Sequence, residues 1–244
     1  MNLRRRQILA GSLWAAGCAV VDRPSFQTGQ HAQSLEVADR SGQRSALRFW
    51  LYLPAAYPNS GARWPLVFFL HGSGERGEDL ARVKVHGPPQ LVDEGREFPF
   101  ILVSPQLAED RRWDPFELDA LSAALQQRLR VDARRVCVTG LSLGGHGAWR
   151  WACTYPDRLA AIAPVCGFGD PSQACAMRQV PVRAYHGGAD TVVPLAKQQA
   201  MVQALLDCGG QAQLIVYPGV GHDAWDRAYA DADLYPWLMA QRLA

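Results

Sequence analysis

"RVCVTGLSLGGHGAW", residues 135–149, joins an apolar run to a segment in which Ser142 stands among Gly140, Gly144, Gly145 and Gly147. Val136, Cys137 and Val138 read as a strand buried on both faces of a parallel sheet, and the residues from about 145 to 155 read as a helix. A G-x-S-x-G pattern between a buried strand and a helix is a turn too tight for side chains on either flank. It holds the serine in a strained conformation with its hydroxyl exposed at the sheet edge. A merely flexible loop needs neither the strand before it nor the helix after it.

The same alternation runs outward in both directions. Residues 34–53 read as two strands around the Ser41-Gly42 turn, and "PLVFFLHG" (65–72), "FPFILVSP" (98–105), "LAAIAPVCG" (159–167), "VPVRAYHG" (180–187) and "AQLIVYPG" (212–219) read as further strands. Helical stretches are expected near 116–130 and 195–207 and at the C-terminus. Strands alternating with helices predict an α/β fold, a single domain with a mostly parallel sheet flanked by helices. The 244 residues, 48% of them hydrophobic, suit one core and leave no room for a second full domain. A formal charge of only +2, part of it from Arg4, Arg5 and Arg6, points away from nucleic acid as a partner.

Those arginines open "MNLRRRQILAGSLWAAGC", a basic segment, an apolar stretch too short to span a bilayer, and small residues before Cys18. Residues 5–9 resemble a twin-arginine signal and residues 15–18 a bacterial lipoprotein box, in which Cys18 would carry the lipid. An ordinary cleaved signal with an incidental cysteine is the alternative. The expected organisation is an export signal and tether over residues 1–33 and a catalytic domain over 34–244, placed in the periplasm or anchored to the outer membrane. Five cysteines remain, so no closed disulfide framework follows. Cys166 and Cys175 could bridge in an oxidising compartment.

A serine hydroxyl needs a base to take its proton, and the base needs a carboxylate to orient it. In this architecture the chain order is serine, acid, histidine. "VRAYHGGADTVVP" (182–194) places Asp190 after one strand, and "LIVYPGVGHDAW" (214–225) places His222 after the next. The rival base, His186, precedes the only well-placed acid and is assigned to packing. His146 begins the helix after Ser142 and is read as structural. Asp223 and Asp226 do not end a strand upstream of His222. "FLHGSGERG" (69–77) ends another strand in a glycine-rich turn. There the Ser73 N–H, together with that of Leu143, is the expected oxyanion-hole pair, with His71 bracing the loop. Glu75 and Arg76 either close this loop by a salt bridge or bind a polar group of the substrate.

GLSLG, HGSGERG, HGGADTVVP and GVGHDAW, in this order, resemble the α/β-hydrolase superfamily over about residues 35–244. Within it they are similar to the small phospholipase/carboxylesterase and dienelactone-hydrolase-like branch, near polyhydroxybutyrate depolymerase and plant-biomass esterases. The resemblance implies Ser142 as nucleophile, Asp190 as acid, His222 as base, and Ser73 with Leu143 as oxyanion donors. The function expected is a serine carboxylesterase for short acyl or aryl esters, including acetyl or feruloyl groups on carbohydrate. The alternatives are a serine peptidase or acyltransferase on the same scaffold, and a non-catalytic surface binding protein. No metal-ligand spacing or dinucleotide fingerprint is present, so no metal and no cofactor are expected. Expected partners are a small-molecule or oligosaccharide ester, with membrane contact only through the N-terminal lipid. Trp113 with Phe116, Phe168 and Trp225 are the candidate pocket walls. The short segment before residue 180 leaves no space for a lid, and residues 76–97 are the fallback location for one.

Overall fold

The computed structural model describes residues 27–243. The chain opens with a hairpin of β1 (Gly29–Ala38) and β2 (Arg44–Leu53). Its turn is set by Asp39, whose Oδ1 accepts the N–H groups of Ser41 at 2.8 Å and Gln43 at 3.0 Å, while Gly42 takes φ 85°. The first strand thus starts at Gly29, upstream of the expected boundary at residue 34. The twin-arginine segment and Cys18 lie outside the described residues.

The remaining strands are β3 (Trp64–Leu70), β4 (Ile101–Pro105), β5 (Val131–Leu141), β6 (Ala161–Val165), β7 (Val182–Gly187) and β8 (Ala212–Tyr217). They join one eight-stranded sheet in the order β1-β2-β4-β3-β5-β6-β7-β8. Only the two ladders of β2, to β1 and to β4, are antiparallel; from β4 across to β8 every neighbouring pair is parallel. The unbroken apolar character of β3 follows from this placement. Leu66, Phe68 and Leu70 face one core and Val67 and Phe69 the other, all of them fully buried.

One core lies under α2 (Pro115–Arg128), α3 (Leu143–Thr154) and α4 (Leu195–Asp207); the other lies under α1 (Gly87–Asp93), α5 (Trp225–Ala230) and α6 (Leu234–Ala240). Trp151 of α3 meets Phe68 edge-on at 5.0 Å between ring centres, and its truncation to alanine would cost roughly 3–5 kcal/mol. Pro115 pre-sets the first turn of α2, and the side chain of Asp114 caps it through Phe116 N–H at 3.0 Å. Among the described residues no helix is long and apolar enough to cross a membrane.

One further expectation is corrected. The disulfide joins Cys175 to Cys208, not to Cys166, because Cys166 points inward at the end of β6 while Cys175 lies on a 3₁₀ segment (Pro171–Met177) beside the end of α4. A 3₁₀ turn (Leu80–Lys84) buries Leu80 and Val83, and α1 follows it.

Candidate active site

Because β3 and β5 to β8 run parallel, their carboxyl ends share one edge of the sheet, and Ser142, His71, Asp190 and His222 all leave from it. Ser142 sits between β5 and α3 at φ 51°, ψ −112°, the strain expected of it. What forces the turn is the approach of α3 to β3. A Cβ on Gly144 would lie 1.8 Å from the Leu70 carbonyl oxygen, so only glycine lets the helix start there. On the other side a Cβ on Gly187 would lie 2.0 Å from the Gly221 oxygen, which is how the loops carrying Asp190 and His222 come together.

His222 bridges the two other groups. Its Nε2 lies 2.9 Å from Ser142 Oγ and its Nδ1 2.7 Å from Asp190 Oδ2. Asp190 Oδ1 accepts the N–H groups of Val192 and Val193, each at 2.9 Å. Burial pushes this carboxyl up, but the hydrogen bond from His222 and those from Val193 and Val192 outweigh it and hold it below the usual carboxylate range. The acid is therefore ionised, and it favours the His222 tautomer with hydrogen on Nδ1 and a free lone pair facing the serine. Asp223 and Asp226 make no hydrogen bond to His222 among the described residues.

The β3 loop is braced by His71, which is wholly buried. Its Nε2 accepts the Leu107 N–H at 3.0 Å, so Nδ1 carries the hydrogen and donates to the Gly72 oxygen at 2.6 Å. Burial pushes the imidazole down to about 4, and it stays neutral near pH 7. Glu75 is not paired with Arg76. Its Oε2 accepts the Gly72 N–H at 2.8 Å, while Arg76 Nε donates to the Ser73 oxygen at 3.1 Å. The Gly72 N–H is thus occupied, and the exposed Ser73 N–H has no acceptor among the described residues. Leu143 is the first residue of α3, where an N–H has no intrahelical acceptor.

The pocket aromatics divide. Trp113 is 2% exposed and faces inward. Its Nε1 donates to the His71 oxygen at 3.1 Å, its ring lies 4.9 Å from the His71 ring, and a Cβ on Gly147 would lie 2.8 Å from its side chain. It is a buttress and not a pocket wall. Phe116 is half-buried on the first turn of α2. Phe168 stacks on His146 at 4.5 Å, and His146 Nδ1 lies 2.8 Å from the Phe168 oxygen, which gives that histidine its structural place. Trp225 meets His222 edge-on at 5.3 Å and His86 at 5.4 Å. His86 escaped the sequence reading because no motif marks it.

Cys166, Asp190 and His222 offer ligand atoms within 4.8 Å of one another. Both Asp190 oxygens already accept N–H donors, and burial pushes the Cys166 thiol up to about 12. The cluster is a hydrogen-bonded triad above a protonated thiol, not a set of open metal ligands.

The sheet order and the Ser–His–Asp contact across its edge define an α/β-hydrolase fold. A family model described as the dienelactone hydrolase family matches residues 105–232, and the chain belongs to that family. It is 34% identical over 100 residues to a Salmonella typhimurium protein named carboxymethylenebutenolidase, a match covering 37% of each chain. It is 25% identical over 195 residues to a bifunctional acetylxylan esterase/xylanase of Neocallimastix patriciarum, covering 74% of this chain and 26% of that protein. The crystal structure of a thermostable esterase superposes with a TM-score of 0.70 at 26% identity, over 86% of this chain and 63% of that one. The chain thus spans only part of each of these relatives.

Proposed function

We propose that this protein is a serine carboxylesterase that cleaves short acyl or aryl esters, carbohydrate-borne ones among them, through an acyl-enzyme on Ser142. The observation that carries this reading is His222 in simultaneous hydrogen-bond contact with Ser142 Oγ and Asp190 Oδ2. Ser142 Oγ attacks the ester carbon as its proton passes to His222 Nε2, and Asp190 stabilises the imidazolium through Nδ1–H. The oxyanion turns to the N–H groups of Ser73 and Leu143, each such donor contributing roughly 10²–10³ in rate. Collapse expels the alcohol, which takes the proton from His222, and water repeats the cycle to release the acid.

The preference for small acyl groups rests on the segment between β6 and β7. The Cys175–Cys208 disulfide fastens its 3₁₀ stretch beside the far end of α4, which leaves only its first residues, Phe168 among them, to wall an acyl chain. Each buried methylene contributes about 0.8 kcal/mol only where a wall exists to bury it. Trp225 and Phe168 remain the proposed walls. The carbohydrate reading is supported by the fungal relative's name, and export with a lipid on Cys18 by a disulfide of the kind formed outside a reducing cytosol.

The test is a p-nitrophenyl ester series from acetyl to palmitoyl, run beside acetylated xylo-oligosaccharides, methyl ferulate and peptide anilides. The expected order is acetyl or butyryl first, without a jump in rate where substrate forms an interface. A maximum at palmitoyl with interfacial activation overturns the short-acyl assignment, and faster cleavage of anilides makes the protein a peptidase.

A further inference from the structure

When the tetrahedral intermediate collapses, the departing alcohol takes its proton from His222 Nε2, so its oxygen must lie within hydrogen-bond reach of that nitrogen. The alcohol half of the ester is therefore held on the His222 side of Ser142. The residue standing there is Trp225, the first of α5, whose half-exposed ring meets His222 edge-on at 5.3 Å and the His86 ring at 5.4 Å. Phe168 belongs to the other face of the sheet, stacked on His146 of α3 with Lys197 of α4 over its ring. The two aromatic walls thus stand on opposite sides of the sheet.

His86 is held against Trp225 by the start of α1. Gly87 follows it at φ 71°, and a Cβ there would lie 2.5 Å from the Phe69 ring and 3.2 Å from that of Tyr229 in α5, so only glycine lets α1 begin this close to α5. Beyond His86 lies Glu75 of the loop after β3, its Oε1 3.9 Å from His86 Nε2 and its Oε2 taken by the Gly72 N–H at 2.8 Å. The 3.9 Å gap is too long for a hydrogen bond. Neither Glu75 Oε1 nor the His86 ring has a hydrogen-bond partner among the described residues, although the two side chains are only 13% and 29% exposed.

From this arrangement we propose that Trp225, His86 and Glu75 form the subsite for the alcohol half of the substrate, and that the alcohol it takes is polyhydroxylated, as a sugar is. The inference rests on the triad reading above, which fixes where the alcohol departs. A hydrocarbon alcohol would cover both polar groups and bond to neither, leaving each without water or a partner. Sugar hydroxyls meet both, because a carboxylate oxygen accepts, an imidazole offers an N–H and a bare nitrogen, and two atoms 3.9 Å apart can reach one hydroxyl or two neighbouring ones. The apolar C–H face of the sugar then lies against Trp225. An aromatic surface with a few convergent polar groups is what a site for a small molecule requires.

The experiment holds the acyl group constant and changes the alcohol, comparing kcat/KM for acetylated xylo-oligosaccharides with that for ethyl acetate, whose ethyl group carries no hydroxyl. His86→Leu keeps bulk beside Trp225 and removes the polar nitrogens, and it should lower the sugar-to-ethyl ratio about tenfold. His86→Gln, which again offers an N–H and an acceptor, should recover most of the ratio, and Trp225→Leu should lower it as well. Glu75 is left in place because its Oε2 also holds the Gly72 N–H. The ratio of ethyl butyrate to ethyl acetate should stay within about a factor of two throughout, since those substrates differ only in the acyl half. An unchanged sugar-to-ethyl ratio in both His86→Leu and Trp225→Leu overturns the inference. So does a butyrate-to-acetate ratio that moves instead, which places these residues on the acyl side. Should the variants not fold, the wild-type protein decides: xylobiose should shift the His86 ring resonances, and resonances that stay in place overturn the inference. Ser142→Ala separates the two levels: if it keeps activity the triad reading fails, whereas a dead Ser142→Ala beside unchanged ratios removes only this inference.

Discussion

Ser142 follows β5 with φ 51° and Cys166 follows the next strand, β6, with φ 47°; they are the two non-glycine residues of positive φ among the described residues. Each N–H donates across to the neighbouring strand, Ser142 to Val165 at 2.9 Å and Cys166 to Tyr185 at 2.8 Å. Their side chains part company there. Ser142 is followed at once by α3, which Gly144 seats against Leu70, and the hydroxyl is left half-exposed beside His222. Cys166 is followed by Gly167, whose N–H is tied to Gln198 at 2.9 Å, and its thiol is wholly buried beneath the triad. Strain therefore does not make a nucleophile. Exposure and a base aligned with the hydroxyl do, and the more nucleophilic element of the two is the one the fold silences.

The contrast breaks most visibly at Ser142. Ser142→Ala should lower esterase kcat by on the order of 10⁴ or more without a loss of fold, since a half-exposed hydroxyl leaves no core cavity. A tenth of wild-type turnover remaining would sink the assignment. Asp190→Asn should cost roughly 10³ to 10⁴ in kcat, because the amide favours the wrong His222 tautomer. If Asp223→Asn were the damaging change instead, the acid would have been misplaced.

The platform beneath Ser142 predicts a pH effect on stability. His71 is pushed from 6.5 to about 4 in the folded protein. Between these values the unfolded chain binds the proton and the folded one does not. Stability from this group is complete above pH 6.5 and is lost as the pH falls towards 4, by on the order of 3 kcal/mol. Urea melts at pH 7 and 4.5 should show this drop, and His71→Asn should remove that part of it. An identical drop in both proteins would clear His71 of the effect. The smallest effect belongs to Cys166. With the thiol at about 12, the thiolate fraction near pH 8 is about 10⁻⁴, and iodoacetamide should leave activity unchanged while a fluorophosphonate labelling Ser142 abolishes it. Rapid inactivation by iodoacetamide traced to Cys166 would erase the comparison.

Much of the site was legible because its geometry is local. G-x-S-x-G between strand and helix, and an acid and a histidine each just past a strand end, follow from short spacings. The buried parallel strands were equally plain, since both faces of β3 are covered and its run is unbroken. What escaped depends on contacts distant in sequence. Trp113 looks like a pocket aromatic until its bond to His71, 42 residues away, is seen. Cys175 finds Cys208 across 33 residues only because a 3₁₀ segment lies along α4.

Trp113 also bears on how this enzyme can be redesigned. Its ring ties the loop after β3, through the His71 carbonyl, to the helix that follows Ser142, through Gly147, while Arg150 of that helix holds its carbonyl at 3.0 Å. Loop and helix are welded into one body, and a library that varies positions 113 or 147 samples misaligned catalysts, not new specificities. Phe168 is itself tied to that helix through His146, whereas Trp225, at the start of α5, touches His222 and His86, so of the two proposed walls Trp225 is the one whose variation leaves loop and helix joined.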